Sequence, residues 1–156
     1  MPVPWWDAPV APRTAPGSTN ESGTGCAVPA RRRAHRITAT GEGEVGSLLT
    51  LADLRASLAT ASRLCVVAIT AHWCEPCVRF EPKFKALARE YGGEVAFATI
   101  DVDLLDDDAC DALGGVDTVP TFLLYKNGVE VARVVGVAHK RPARAIANAI
   151  KNVLLD

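Results

Sequence analysis

Residues 73–77 have the sequence Trp73-Cys74-Glu75-Pro76-Cys77. They follow an apolar run at 64–70, which predicts a strand buried on both faces, and they open a segment at 75–91 with apolar residues at helical spacing. Free N–H groups and the positive end of a helix dipole stabilise a thiolate, so Cys74 is predicted to be a nucleophile, with Cys77 one turn further along. Pro76 lacks an N–H where the first helical turn needs none. The motif therefore predicts a redox-active dithiol.

Strand and helix patterns alternate on both sides of this motif. Thr50 followed by Asp53 predicts a helix start, Gly92-Gly93 predicts a helix end, and Asn127-Gly128 predicts a hairpin. Such an alternation indicates an α/β fold in which helices cover a sheet. Strands are predicted at 45–49, 64–70, 95–102, 121–125 and 130–135, and helices at 51–61, 75–91, a short span from 106, and 141–155.

The motif and its surroundings resemble the thioredoxin family, whose active site reads Trp-Cys-Gly-Pro-Cys. Pro82 matches the family's second helical proline, and Val119-Pro120-Thr121 matches the family's cis-proline loop, which presents main chain to an extended substrate segment. The resemblance extends over residues 45–156. It implies a thioredoxin fold, with a central mixed β-sheet flanked by helices on both faces.

The same resemblance implies an activity and a set of site residues. The implied activity is that of a thiol–disulfide oxidoreductase that reduces protein disulfides, without a cofactor or a metal. Its implied partners are substrate proteins and a dithiol donor or reductase. The implied catalytic residues are Cys74 and Cys77, and the implied substrate-binding or supporting residues are Trp73, Pro76, Val119 and Pro120.

Three positions near the dithiol depart from the family pattern. The family carries a buried aspartate that helps to deprotonate the second cysteine, and Ala68 stands at that position. Thr99 stands where the family has the lysine paired with that aspartate. Glu75 replaces the usual glycine with a carboxylate that opposes thiolate formation, whereas a protonated His72 would favour it. Because Ala68 cannot accept a proton, we expect slow release of the mixed disulfide by Cys77.

The remaining cysteines do not predict a metal site. A structural zinc site needs two further ligands at suitable spacing, whereas Cys26, Cys65, Cys110 and the histidines His35, His72 and His139 are scattered singly. Cys65 falls in the apolar strand and Cys110 in the short helix, so core packing is the predicted role of both. Cys26 has no predicted role.

Residues 1–44 are predicted to be an irregular extension ahead of the domain at 45–156. Prolines recur among Gly, Ser and Thr without hydrophobic periodicity, and the segment carries Trp5, Trp6 and the basic run Arg31-Arg32-Arg33. Three interpretations stay open: a solvated tail, an arm that docks on a protein partner through the two tryptophans, and an organellar transit peptide. The early prolines oppose the amphipathic helix that a transit peptide uses.

Composition excludes several classes of protein. The formal net charge of −1 does not suggest a nucleic-acid-binding protein, and the chain has no apolar run near the roughly 20 residues of a membrane span. Five cysteines form an odd set with one close pair, which favours a reducing compartment. We predict a cytoplasmic location, with the flagellar axoneme, or a mitochondrion or plastid, as alternatives. The alternative function is a thioredoxin-like subunit of a large assembly, such as an axonemal dynein light chain or an organellar complex.

Overall fold

The computed structural model describes residues 43–156. The predicted extension, with Trp5, Trp6, Arg31–Arg33 and Cys26, lies outside the described residues, apart from its last two positions. The strands are β1 (Val45–Leu48), β2 (Leu64–Thr70), β3 (Val95–Asp101), β4 (Thr121–Lys126) and β5 (Val129–Val135), and the helices are α1 (Leu51–Thr60), α2 (Glu75–Tyr91), α3 (Asp107–Ala112) and α4 (Pro142–Leu155). None of these helices is both long and apolar enough to cross a membrane.

The strands form one mixed sheet in the order β1-β3-β2-β4-β5. β3 pairs in parallel with β1 and β2, whereas β4 pairs antiparallel with β2 and β5. Strand β2 is therefore central, which explains why its residues are apolar on both faces. The predicted α/β fold with a central mixed sheet is confirmed.

Side chains alternate along β2 between two apolar cores, one on each face of the sheet. Val66 and Ala68 belong to the core that also holds Phe80 and Phe84 of α2 and the isoleucines of α4. Val67 belongs to the core that holds the leucines of α1, together with Cys65 and Ile69 on the same face of β2. Packing from both sides fixes the end of β2, and the motif at 73–77 follows directly.

Local signals set most of the boundaries. Asn127 and Gly128 both have positive φ, 53° and 78°, as a two-residue hairpin turn between β4 and β5 requires. The Asp53 N–H donates to Thr50 Oγ1 at 3.0 Å, as predicted, but the Asp53 carboxylate accepts from Leu49 rather than from Thr50. Helix α2 continues through Pro82 without interruption.

Strand β3 ends one residue earlier than predicted, at Asp101. Its side chain accepts a hydrogen bond from the Asp103 N–H at 3.0 Å and so caps a 3-10 turn at Val102–Leu104. The other differences are of the same size, with β1 and α1 one residue shorter, β4 and β5 one residue longer, and α4 beginning at Pro142.

Candidate active site

Cys74 and Cys77 form a disulfide at the start of α2, with their Cα atoms 5.3 Å apart. Cys74 is the N-cap residue, and its sulfur accepts a hydrogen bond from the Cys77 N–H at 3.3 Å. Pro76 lies in the first turn, where its missing N–H leaves no partner unsatisfied. A thiolate at Cys74 would lie among free helix N–H groups, which is the environment that lowers a thiol pKa.

The loop before β4 covers the dithiol from the other side. The Val119–Pro120 peptide bond is cis, and Cys74 Sγ lies 3.7 Å from the Val119 carbonyl oxygen. The Gly136 N–H donates to the Pro120 carbonyl oxygen at 2.8 Å, and Thr121 Oγ1 donates to the Thr118 carbonyl oxygen at 2.7 Å. The structure thus brings Val119 and Pro120 to the motif across 45 residues of sequence.

Trp73 lies beside the dithiol and is 62% exposed. Its indole N–H donates to Asp103 Oδ2 at 2.8 Å. His72 Nδ1 lies 3.5 Å from that same oxygen and 3.6 Å from Asp101 Oδ2. These contacts hold the Trp73 ring by its polar edge and leave its apolar surface to solvent.

Asp101 and Asp103 also belong to this site, although they were not predicted from the sequence. The parallel register pairs Thr70 with Asp101, so β2 and β3 end at the same edge of the sheet. Acidic residues just after the neighbouring parallel strand were the signal that could have found them. Together with His72 they place three ligand atoms within 4.8 Å of one another, and these are the described residues that can approach one metal ion together.

A cavity of about 420 Å³ lies behind Cys77. Ala68 and Thr99 are register partners on β2 and β3 and both line the cavity, as expected from their predicted positions. Neither side chain is ionisable. Apart from Cys77, the ionisable side chains on the wall are His72, Glu81, Lys85 and Asp101.

Glu75 extends away from the sulfurs along the surface of α2. Its carboxylate is 3.6 Å from the guanidinium of Arg79, one turn along, and both side chains are more than two-thirds exposed. Solvent and the ion pair screen the charge that the sequence places between the two cysteines.

The other described cysteines lie away from the dithiol. Cys65 is buried in β2, and burial raises the pKa of its thiol to about 11, which confirms a core position. Cys110 is only partly buried, contrary to the prediction of core packing, because α3 is short and buries only Ala109. Partial burial, and then the charge of nearby Asp107, raise the pKa of the Cys110 thiol.

Comparisons with known proteins agree with this geometry. The family model described as Thioredoxin matches residues 47–152. Thioredoxin-1 of Schizosaccharomyces pombe is 36% identical over 97 residues, which cover 62% of this chain and 88% of the relative. Thioredoxin of Gallus gallus is 38% identical over 109 residues, which cover 68% of this chain and 99% of the relative.

Solved structures show the same likeness. The X-ray structure of Fasciola hepatica thioredoxin superposes with a TM-score of 0.60 at 36% identity, and the match covers 69% of this chain and 98% of that one. The crystal structure of thioredoxin from Trypanosoma brucei brucei has a TM-score of 0.64, with coverage of 75% and 96%, but at 23% identity it supports the fold alone. With a cysteine pair that closes a disulfide at the start of α2 and a family match over most of the domain, the chain belongs to the thioredoxin family of thiol–disulfide oxidoreductases.

Proposed function

We propose that this chain reduces disulfides in other proteins, with Cys74 as the attacking cysteine and Cys77 as the resolving cysteine. The observation that carries the proposal is the position of Cys74. It caps α2 and accepts the Cys77 N–H, while its sulfur faces the main chain of Val119. A substrate segment lying along that main chain would present its disulfide to the Cys74 sulfur.

The proposed cycle consists of two thiol–disulfide exchanges. The Cys74 thiolate attacks one sulfur of the substrate disulfide, whose S–S bond breaks and releases one substrate thiolate. Cys77 then attacks the Cys74 sulfur of the mixed disulfide, releases the second substrate thiolate and leaves the Cys74–Cys77 disulfide of the structure. Two electrons pass to the substrate, and a dithiol donor or reductase must return them.

Exposed apolar side chains near the dithiol support a protein as the substrate. Trp73, Val78 and Val137 are each more than half exposed. Trp73 precedes Cys74, Val78 follows Cys77, and Val137 follows the Gly136 that holds the Pro120 loop. Apolar and aromatic side chains around a reactive centre are typical of a surface that binds another protein.

The test of the proposal is selective alkylation combined with insulin reduction. After reduction, we expect brief iodoacetamide treatment near pH 8 to label Cys74 first, because only the thiolate reacts. Cys65 should stay unlabelled, since a thiol with a pKa of about 11 is roughly one part in a thousand thiolate at that pH. The reduced chain should then reduce insulin disulfides in the presence of a dithiol donor. First labelling at Cys77 or Cys110, or no insulin reduction, would contradict the assignment.

We also propose that residues 1–44 bind a protein partner through Trp5 and Trp6. Tryptophan is enriched among residues that dominate binding energy, where its truncation commonly costs about 2 kcal/mol or more. Three proteins are compared: the full chain, a chain starting at Gly43, and a Trp5→Ala/Trp6→Ala variant. All three should melt alike, and only the full chain should recover its partner from native extract. Early unfolding of the short chain would move the domain boundary, and equal recovery by all three would exclude a docking role.

Cytoplasmic residence is part of the same proposal. It is supported by the odd number of cysteines with one close pair in sequence, which suits a reducing compartment. Imaging of the full chain with a C-terminal fluorescent fusion should show diffuse cytoplasmic signal. Signal confined to a mitochondrion, a plastid or a flagellum would support one of the alternatives instead.

A further inference from the structure

The resolving step requires Cys77 to lose its proton in a place that is almost closed to solvent. Cys77 is 5% exposed, and a thiol attacks efficiently only as the thiolate. Ala68 and Thr99, on the two neighbouring strands, offer no ionisable group. The remaining candidates for an acceptor are the ionisable side chains elsewhere on the cavity that Cys77 lines.

Glu81 is placed to be that acceptor. It is four residues after Cys77 on α2, so the two side chains lie on the same helix face one turn apart, and both line the cavity behind the dithiol. Lys85, one further turn along, donates to Glu81 Oε1 at 2.6 Å. Three consecutive turns thus carry a thiol, a carboxylate and an ammonium group along one wall.

The other groups on the cavity are less suitable acceptors. Asp101 lies across it on β3, but both of its carboxylate oxygens have contacts: Oδ1 accepts from the Asp103 N–H, and Oδ2 lies 3.6 Å from His72 Nδ1. The contact between Lys85 and Glu81 involves Oε1. His72 is 77% exposed. The Glu81 side chain lines the cavity and is also 57% exposed to solvent. A proton that Glu81 takes from the cavity can therefore pass directly to bulk water.

We propose that Glu81 accepts the proton of Cys77 during resolution, through water in the cavity. A cavity of about 420 Å³ with polar groups on its wall has room for several waters. The Cys77 proton passes through water to the Glu81 carboxylate, the Cys77 sulfur attacks Cys74, and the departing substrate thiolate or solvent takes the proton from Glu81. This assignment rests on the proposed function, because it concerns the second exchange of that cycle.

The test separates the two exchanges with 5,5′-dithiobis(2-nitrobenzoate). A Cys26→Ser/Cys110→Ser background leaves the dithiol and the buried Cys65 as the thiols of the chain. Mixed with one equivalent of the reagent, the reduced protein should release a first thionitrobenzoate as Cys74 attacks and a second as Cys77 resolves. If the second equivalent never appears, the proposed function fails, whatever the role of Glu81.

Glu81→Gln keeps the size of the side chain and an oxygen that can accept from Lys85, but it cannot take a proton. The second phase should slow by about a hundredfold at pH 7, the lower end of the range typical of general-base catalysis, while the first phase stays unchanged. In the parent protein, the second phase should vary little between about pH 6 and 8. In the Glu81→Gln variant, it should rise about tenfold per pH unit, because the rate then follows the thiolate fraction of Cys77.

Glu75→Gln is the matched control, since it removes one negative charge from the same end of α2 without touching the cavity. It should leave the flat pH profile of the second phase intact. A Glu81→Gln second phase within twofold of the parent across this pH range, or an equal loss in Glu75→Gln, would overturn the assignment. So would a loss of the flat profile in Asp101→Asn but not in Glu81→Gln.

Discussion

Replacing Cys74 by serine is expected to abolish insulin-disulfide reduction, with a loss of about a thousandfold or more. A serine hydroxyl stays protonated near neutral pH, whereas the reaction needs an anionic sulfur that can form and break S–S bonds. Cys74 is also the N-cap of α2, and serine is a favourable N-cap residue, so the fold should be retained. Turbidity of reduced insulin measures the activity, and thermal unfolding checks the fold.

Replacing Cys77 instead should give a different kind of inactive protein. Cys74 can still attack, but the mixed disulfide has no partner to release it and should accumulate. Non-reducing gels and mass spectrometry should then show substrate chains joined to Cys74, and these should disappear in Cys74→Ser. If Cys74→Ser captures substrates and Cys77→Ser does not, the two roles are reversed.

Replacing Gly136 by alanine should lower insulin reduction by more than tenfold and reduce stability by about 1–3 kcal/mol. A Cβ at this position would lie 2.7 Å from Pro120 Cγ and 2.9 Å from the Pro120 carbonyl oxygen. The Pro120 carbonyl oxygen also accepts the Gly136 N–H. The chain therefore cannot relieve the clash without lengthening or breaking this hydrogen bond. We expect the Pro120 loop to move away from the dithiol.

A small disulfide reagent should react almost normally with Gly136→Ala, since the proposed role of the loop is to bind substrate main chain and not to take part in S–S chemistry. Gly93→Ala is the control, because a Cβ there meets no atom within 4 Å. It should change neither insulin reduction nor the unfolding midpoint appreciably. Full insulin activity in a folded Gly136→Ala protein would show that the loop position is unimportant for protein substrates.

Most of the fold follows from signals that lie close together in the sequence. The Thr50 cap, the Asn127-Gly128 turn and the unbroken apolar run of β2 each act over a few residues, and the predicted boundaries differ by about one residue. The prediction that Cys110 packs in the core is wrong, because a short acidic helix does not reveal which face it buries. The end of β3 was not predicted correctly, because Asp101 caps a 3-10 turn that hydrophobic periodicity does not detect.

The family, the two sulfurs and the loop that faces them could be predicted from sequence, because a local motif at a strand–helix junction carries that chemistry. The surroundings of the dithiol depend on how distant segments pack. The Trp73–Asp103 bond joins residues 30 apart, and the cavity behind Cys77 appears only when β2, β3 and α2 pack together. From sequence, Ala68 predicts that the resolving cysteine lacks a base. In the folded chain, Ala68 and Glu81 line the same cavity. Sequence does not reveal this, because the pairing of distant strands and the packing of helices on them determine which side chains share a cavity.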